Sequence, residues 1–420
     1  MARNRAPHLA AGLLAALATG TLHAAGFQLL EQNASGIGSA YAGSAAVAEN
    51  ASTVFFNPAA MTLLAPREVS LGLSAVRPRF ELKNEGSLGG PLSGSGGDAG
   101  SWALVPNAYL TWALGSRLTA GLGVSAPFGL VTKYDADWVG AAQAVKFELR
   151  TLNLNPSLAW RINDQWSVGL GANWQRLDVN YRRAVAIANG ALASTYVTFD
   201  ADNDAWGWNA GVLWLPSPAT RIGLSYRSSV DHEVEGKLKF RGTLAGAFPS
   251  LSNAPAKAQV ELPDTWILSV VQRIDARWEM LGDVSRTGWS SIPKVDIVRI
   301  PGGVVQTLDS DFRDTWRFAL GAHYHLNDAW KLKFGVAYDQ TPVRHPGTRL
   351  VSLPDSNRTW FSFGGQWTPI PGNRFDLGVA YLLIPKTGIN NDQITAGRGR
   401  VTGEYDSSVW LLGGQYSLAF

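Results

Sequence analysis

The sequence contains no cysteine, which excludes a disulfide framework, thiolate metal sites and cysteine nucleophiles. It has no apolar run long enough to cross a bilayer as a helix, since the longest candidate, Leu9 to Ala18, is too short. A basic tract is missing as well, so nothing points to nucleic acid. Histidine is scarce: beyond the first 24 residues only His232, His323, His325 and His345 remain. With no G-x-S-x-G, P-loop or H-E-x-x-H, the sequence offers no machinery for hydrolysis and no metal or cofactor site. His323 and His325 fall on one strand face, either as a weak metal pair without a third ligand or as polar residues near a turn.

The first residues, "MARNRAPHLAAGLLAALATGTLHA", carry Arg3 and Arg5, then a short apolar run, then small residues at Ala24 and Ala25. That is the layout of a secretory signal over residues 1–24, and the mature chain is expected to start at Ala25 outside the cytoplasm. Without the leader, 34 Lys and Arg face 33 Asp and Glu, a net charge of +1, so the pI near 9.0 carries no functional weight.

What is present is glycine and aromatics: 45 Gly, 17 Trp, 11 Tyr and 16 Phe. Their spacing decides the class. In "WKLKFGVAYD", Trp330, Leu332, Phe334, Val336 and Tyr338 alternate with Lys331, Lys333, Gly335, Ala337 and Asp339. The pattern recurs in "RLTAGLGVSAPF" and at the C-terminus, where Trp410, Leu412, Tyr416, Leu418 and Phe420 share a face. A period of two over about ten residues describes a strand whose faces meet different solvents. Short links near Gly115, Asn163, Pro216, Ile274, Leu326 and Pro369 alternate with long polar ones near residues 84–101, 131–144, 185–202, 241–257, 291–310, 341–356 and 385–403. Six short and seven long connections imply an all-β fold, a fourteen-stranded antiparallel transmembrane β-barrel over residues 67–420, with both termini at the short-turn end. Trp112, Trp160, Trp166, Trp214, Trp278, Trp330 and Trp367 lie near those short turns, as an interfacial girdle would. The outer membrane of a Gram-negative cell, with its lipid and lipopolysaccharide, is the expected site, and the strand ending in Phe420 the expected contact for the barrel assembly machinery.

A bore of about fourteen strands is too wide for its own side chains to fill, so it is open or plugged. Residues 25–66 form the only sizeable segment without strand alternation. They are rich in Gly, Ala, Ser and Asn and contain "NPAAM" at Asn57 to Met61, where Asn57 before Pro58 favours an extended or turn conformation. We expect this segment to form a hatch of short helical turns inside the lumen, with Gly121, Gly123 and Ser125 leaving room for it.

The stretch Ala25 to Leu64, with "AGFQL" and "NPA", resembles the N-terminal hatch of the FadL family of outer-membrane transporters for long-chain fatty acids and other hydrophobic compounds. The likeness continues through "APFGLVTKY" at Ala126, "TLNLNPSLAWRINDQWSVGLG" at Thr151, "FRDTWRFALG" at Phe312, "AYDQTPV" at Ala337 and "LPDSNRTWFSFGG" at Leu353, and so spans the mature chain. The resemblance implies a monomeric passive channel, without cofactor or ATP. Such a channel captures a hydrophobic molecule among its external loops, passes it to a lumenal site gated by the hatch, and releases it sideways at a kinked third strand. Here Pro127 lacks the N–H for a ladder and Gly129 packs nothing, so Ala126, Pro127, Phe128 and Gly129 are the expected kink and lateral opening.

On the same resemblance, Asn57, Pro58 and Ala59 form the hatch hinge, and Phe27, Leu29 and Phe128 line the ligand site. Arg183 and Arg313 supply the charge for a carboxylate, as a guanidinium fork can. The residues themselves complicate Arg183: Leu177, Val179 and Tyr181 share its parity, and the apolar phase switches after Trp174. Either a bulge re-aims the strand or Arg183 lies beyond the hydrocarbon. Some relatives carry serine where this chain has Ala126, which favours a neutral cargo such as a monoaromatic hydrocarbon. A general porin and an outer-membrane hydrolase are the rivals from other classes. A porin has no use for a plug, and a hydrolase lacks its nucleophile and base here.

Overall fold

The computed structural model describes residues 26–420; the leader over residues 1–24, and Ala25, lie outside the described residues. Fourteen strands close into one ring. They are β1 (Arg67–Asn84), β2 (Ala103–Ala113), β3 (Leu118–Ser125, resuming at Gly129–Lys133), β4 (Lys146–Arg161) and β5 (Trp166–Ala184). Next come β6 (Thr195–Ser217), β7 (Thr220–Arg227 and Val230–Gly242), β8 (Ala254–Leu262 and Thr265–Arg273) and β9 (Trp278–Thr287). The last are β10 (Thr315–His325), β11 (Trp330–Asp339), β12 (Arg358–Ile370), β13 (Asn373–Leu383, with an outer piece Thr387–Asp392) and β14 (Arg400–Ala419). An external hairpin, Lys294–Arg299 with Val304–Asp309, sits between β9 and β10. Each strand pairs antiparallel with the next, and β14 returns to β1 from Glu68↔Ala419 to Asn84↔Gly403. Closure leaves no strand edge to face lipid, where an unpaired backbone group would have no water to bond. Among the described residues no helix is long and apolar enough to cross a membrane.

The short links share a chemical device. In "NDQW", "DARW" and "NDAW" the side chain of Asn163, Asp275 or Asn327 accepts hydrogen bonds from the two backbone N–H groups that follow, the second belonging to Trp166, Trp278 or Trp330. An Asx turn thus reverses the chain and delivers a tryptophan to the first position of the next strand. Two of these rings pack across strands, Trp166 on Trp214 at 5.3 Å and Trp330 on Trp367 at 5.9 Å.

Strand parity is constant along the wall, yet the solvent on each side reverses. On β5 the odd residues face inward throughout. Within the hydrocarbon they are Ser167, Asn173 and Gln175, while the outward residues include Leu170; farther out they become Leu177, Val179 and Tyr181, and the outward ones Arg176, Asp178 and Arg182. The ladders of β5 with both neighbours run without a register slip, so no bulge is involved. Arg183 lies beyond the hydrocarbon on the inward side. The strands rise past the membrane into water and fold there as a soluble protein does, apolar side inward.

Residues 26–66 cross the bore. Their only helical pieces are Ile37–Ser39, Thr53–Phe56 and Pro58–Leu63. Ile37 packs against Gly378 of β13 and Gly413 of β14, whereas Ala59 and Asn57 pack against Gly169 of β5 and Gly211 of β6, on the opposite side of the ring. Wall glycines make this approach possible: a Cβ on Gly211 would overlap Asn57 Oδ1, and one on Gly335 would overlap the Ser39 carbonyl group. Gly121 meets Met61 and Val54 in the same way.

Replacing Gly211 by Val should therefore expel or loosen the inner segment without unfolding a wall whose ladders are intact. Limited proteolysis checks this: the barrel fragment persists while cleavage appears within residues 26–66, and a variant as resistant there as wild type contradicts the packing.

Candidate functional site

Two cavities lie one above the other. The outer one, partly open, is bounded by Phe27, Leu149, Phe199, Val260, Ile297 and Phe312 among others. Among the described residues no charged side chain lines it. Two of its hydroxyls are already committed, Ser310 Oγ donating to the Ile292 carbonyl at 2.7 Å and Tyr181 donating to the Gln143 carbonyl. The inner cavity is mixed: Arg227, Arg317, Asp339, Thr265 and Thr287 bring polar and charged groups to a lining that also holds Leu29, Leu30, Phe55, Phe56 and Ile267. An aromatic cluster separates the two. Trp289 lies edge-on to Phe27 at 4.8 Å and touches Phe128 and Phe312 at 6.4 and 6.0 Å.

The strand break expected at Ala126 to Gly129 is present. The β2–β3 ladder stops at Ala108↔Val124, so Ala103–Asn107 of β2 pair with β1 alone. On the other side β3 pairs with β4 up to Ser125↔Asn153 and resumes at Gly129↔Arg150, a slip of one residue. The freed backbone groups find partners in the N-terminal segment: Leu29 N–H donates to the Pro127 carbonyl, Gly129 N–H to the Phe27 carbonyl, both at 2.8 Å, and Gln32 Nε2 to the Ala126 carbonyl at 2.8 Å. Thr151 covers the rest, its Oγ1 accepting from Phe128 N–H and donating to the Phe128 carbonyl. On the far side Gln28 bridges Thr265 and Thr287 through its amide, at 2.9 and 3.0 Å. Residues 27–32 thus satisfy the backbone groups freed at the kink, with the Phe27 ring at the floor of the apolar cavity.

Asn57 ties the inner segment together. Fully buried and extended (φ −157°, ψ 101°), it accepts from Ala59 N–H at 3.0 Å through Oδ1 and donates through Nδ2 to the carbonyls of Ala45 at 2.7 Å and Val212 of β6 at 3.1 Å. Pro58 supplies the first residue of the following turn, where a missing N–H costs nothing. A second fastening is ionic. Lys333 of β11, 1% exposed, meets Glu49 at 2.7 Å, Asp376 at 2.9 Å and the Ser35 carbonyl at 3.1 Å. Lys331 also pairs with Glu49, at 2.8 Å, and His323 Nδ1 lies 3.3 Å from Glu279 and 3.5 Å from Glu49. His323 is therefore a polar lumen residue within an ion network.

The residues singled out from sequence divide accordingly. Phe27 lines the apolar cavity, Leu29 the mixed one, and Phe128 packs behind Phe27 with its ring inside the wall. The two arginines do not join them. Arg183 spends its guanidinium on the carbonyls of Ala184, Val185 and Val305, at 2.9, 2.9 and 3.2 Å, which knits external loops together. Burial, with Arg398 beside it, pushes that guanidinium down to about 10. Arg313 is half-buried, donates through Nε to the Thr341 carbonyl at 3.3 Å, and borders neither cavity. Arg183 is spoken for by backbone because it sits where loops need their carbonyls satisfied, and Arg313 is kept from the cavities by its position. Sequence reasoning did not find Trp289, Gln28 or Lys333. Lys333 could have been noticed as a cation on the inward face of a strand whose other face is wholly apolar; Trp289 lies in a loop that alternation does not address.

A family profile described as "Outer membrane protein transport protein (OMPP1/FadL/TodX)" matches residues 15–420. The 47 kDa outer membrane protein of Pasteurella multocida is 32% identical over 90% of this chain and 92% of its own. The long-chain fatty acid transport protein of Escherichia coli K12 is 28% identical over 94% of each chain. Among solved structures, a Pseudomonas aeruginosa FadL homologue superposes with a TM-score of 0.87 over 94% of this chain and all of its own, at 24% identity, and so shares the fold.

Replacing Lys333 by Met would leave Asp376 without its cation and Glu49 with Lys331 alone, and breaking a buried pair by removing one member costs about 3–5 kcal/mol. The loss should appear in the inner segment first: chemical denaturation followed by proteolysis of residues 26–66 shifts to lower denaturant, while the barrel transition moves less. Equal stability in both proteins would mean that the network is solvated and does not fasten the segment.

Proposed function

The chain belongs to the OMPP1/FadL/TodX family and is a β-barrel of the Gram-negative outer membrane, and from that premise we propose that it takes up hydrophobic small molecules passively, most readily long-chain fatty acids. The observation that carries the reading is the double role of Phe27. Its ring closes the floor of an uncharged apolar cavity, and its carbonyl accepts the N–H of Gly129 in the broken strand. A ligand settling in the cavity competes with Phe27 for the same apolar surface, so its arrival pulls on the segment that seals the kink. Asn57, Pro58 and Ala59 act as the hinge that lets residues 26–66 yield without leaving the bore, and the cargo passes sideways between β2 and β3 into lipid. Partitioning drives the transfer, since each CH₂ removed from water gains about 0.8 kcal/mol.

The cavity favours an alkyl or aryl body and offers no cation for a carboxylate, Arg183 and Arg313 being engaged with carbonyls. Monoaromatic hydrocarbons and other neutral lipophiles are therefore the second reading for the same route. Nothing in the reading calls for catalysis, a cofactor or a second copy of the chain. Assembly through the strand ending in Phe420, and lipopolysaccharide around the wall, complete the expected surroundings.

In cells lacking their own copy, wild type should restore uptake of radiolabelled oleate. Asn57→Ala removes the donor to two carbonyls and the acceptor of one N–H, a loss of roughly 2–4 kcal/mol for buried groups left unpaired. We expect slower uptake from a barrel that still assembles. Uptake at the wild-type rate by the correctly assembled variant would remove the hinge role, and no uptake by wild type of either oleate or toluene would remove the function.

A further inference from the structure

The third strand is not the only place where the wall parts. The outer half of β8, Ala254–Leu262, pairs with β7 along its whole length, from Ala254↔Leu238 to Leu262↔Val230. On its other side its ladder with the external hairpin has two positions, Ala256↔Arg299 and Lys257↔Val298, extended by Ile300 N–H donating to the Pro255 carbonyl at 2.9 Å; lower down, Ser291 Oγ donates to the Glu261 carbonyl at 3.0 Å. Below the ladder the strands diverge around an open trough. Its lining has both parities of β8: Lys257, Gln259 and Glu261 from the outer face, Ala258 and Val260 from the inner. Since alternate residues of a strand point to opposite faces, the trough runs along the unpaired edge of β8 and borders both faces of the wall. Ala258, Val260 and Ile292, all buried, border this trough on one side and the apolar cavity on the other, so these three side chains are what separates the two spaces.

The roof above the same cavity is tied down. Loop 340–357 supplies Leu350 and Leu353 to the lining, and Tyr134 OH donates to the Val351 carbonyl at 2.7 Å, Thr132 Oγ1 to that of Ser352 at 3.0 Å. Trp138, fully buried, stacks on Tyr134 at 4.0 Å and donates to the Ala144 carbonyl at 2.7 Å. The trough therefore offers the less obstructed path. It opens just outward of the exposed Trp266, which packs on Tyr226 at 4.3 Å among the outer interfacial aromatics, and its rim is polar, with Lys257 paired to Glu233 and Lys294 to Asp296.

We propose that this trough is the entrance: an aliphatic chain lying at the lipid headgroup and saccharide level slides between β8 and the hairpin, over Ala258, Val260 and Ile292, into the apolar cavity. The proposal rests on the uptake reading above and specifies where the cargo crosses the wall inward. The charged rim, with both signs present, keeps the polar end of an amphiphile outside while the alkyl end advances.

The chain has no cysteine, so a single introduced thiol reports without background. Ala258→Cys should transport oleate like wild type, react in intact cells with a bulky maleimide, be shielded from it by excess oleate, and lose uptake to the level of cells without the chain once labelled. Lys237→Cys, on the exposed outer face of β7, should label equally and transport unchanged. Full labelling of Ala258→Cys with undiminished uptake overturns the entrance, and so does a thiol that stays unreacted while oleate passes. Failure of the unlabelled proteins to raise oleate uptake at all counts against the function itself instead.

Discussion

A strand that leaves hydrocarbon for water must exchange the sides on which its apolar residues are useful, and the architecture follows from that constraint. Inside the membrane the lipid takes the apolar face, which forces serine, asparagine, glutamine and paired ions inward. Above it, water takes the polar face and the bore becomes a place where Leu149, Leu177, Phe199 and Val234 can bury themselves. The apolar cavity exists because the wall extends past the bilayer. It sits directly on a polar lumen, and the boundary between them is where Phe27, Phe128, Trp289 and Phe312 meet.

A polar lumen also determines how the inner segment is held. Residues 26–66 fold as successive short turns, such as Ala40 N–H on the Ile37 carbonyl and Asn57 N–H on that of Thr53, which leave other backbone groups without a partner inside the segment. Wall side chains take that role: Arg317 donates to the Ala40 carbonyl at 2.6 Å, Arg221 to Val47 at 2.9 Å, Tyr109 to Gln32 at 2.7 Å, while Ser269 and Gln415 accept from Ala45 and Ala34 N–H. Each such bond is worth on the order of 1 kcal/mol against water. A fastening made of many modest bonds can be released piecemeal, which suits a segment that yields in place and stays in the barrel.

Strand number, turn sides and the broken third strand were legible because they rest on local signals: alternation, link length, and a proline beside a glycine. The same was true of the solvent reversal, visible in β5 as the change of apolar phase after Trp174, although only the uninterrupted ladders decide between reversal and bulge. The repeated Asn/Asp-x-x-Trp turns were present in the sequence and carry a mechanism that link length alone does not convey. Arg183 marks where reading stops. Its inward direction follows from parity, but its partners are carbonyls of residues near it and of Val305 in a distant hairpin, and no local pattern reports on such a contact. Trp289 is hidden for the same reason, since its neighbours come from the N-terminus, the kink and β10's approach.

The stacking of an apolar cavity on a polar lumen bears on the direction of release. A lipophile continuing straight down would enter a space faced by Arg227, Arg317 and Asp339, and below it an amide cluster in which Asn155 and Asn173 both donate to Asn209 Oδ1 at 3.0 Å. Every CH₂ moved into such surroundings gives back about 0.8 kcal/mol, and the displaced polar contacts add to the loss. Sideways, the obstacle is three hydrogen bonds from residues 27–32 to the kink, beyond which lies hydrocarbon. On the proposed route the first cost grows with the length of an alkyl cargo and the second does not, so a sideways exit would be favoured more as the chain lengthens. A small aromatic hydrocarbon gains less from the detour, and for it the same wall discriminates less strongly between the two paths.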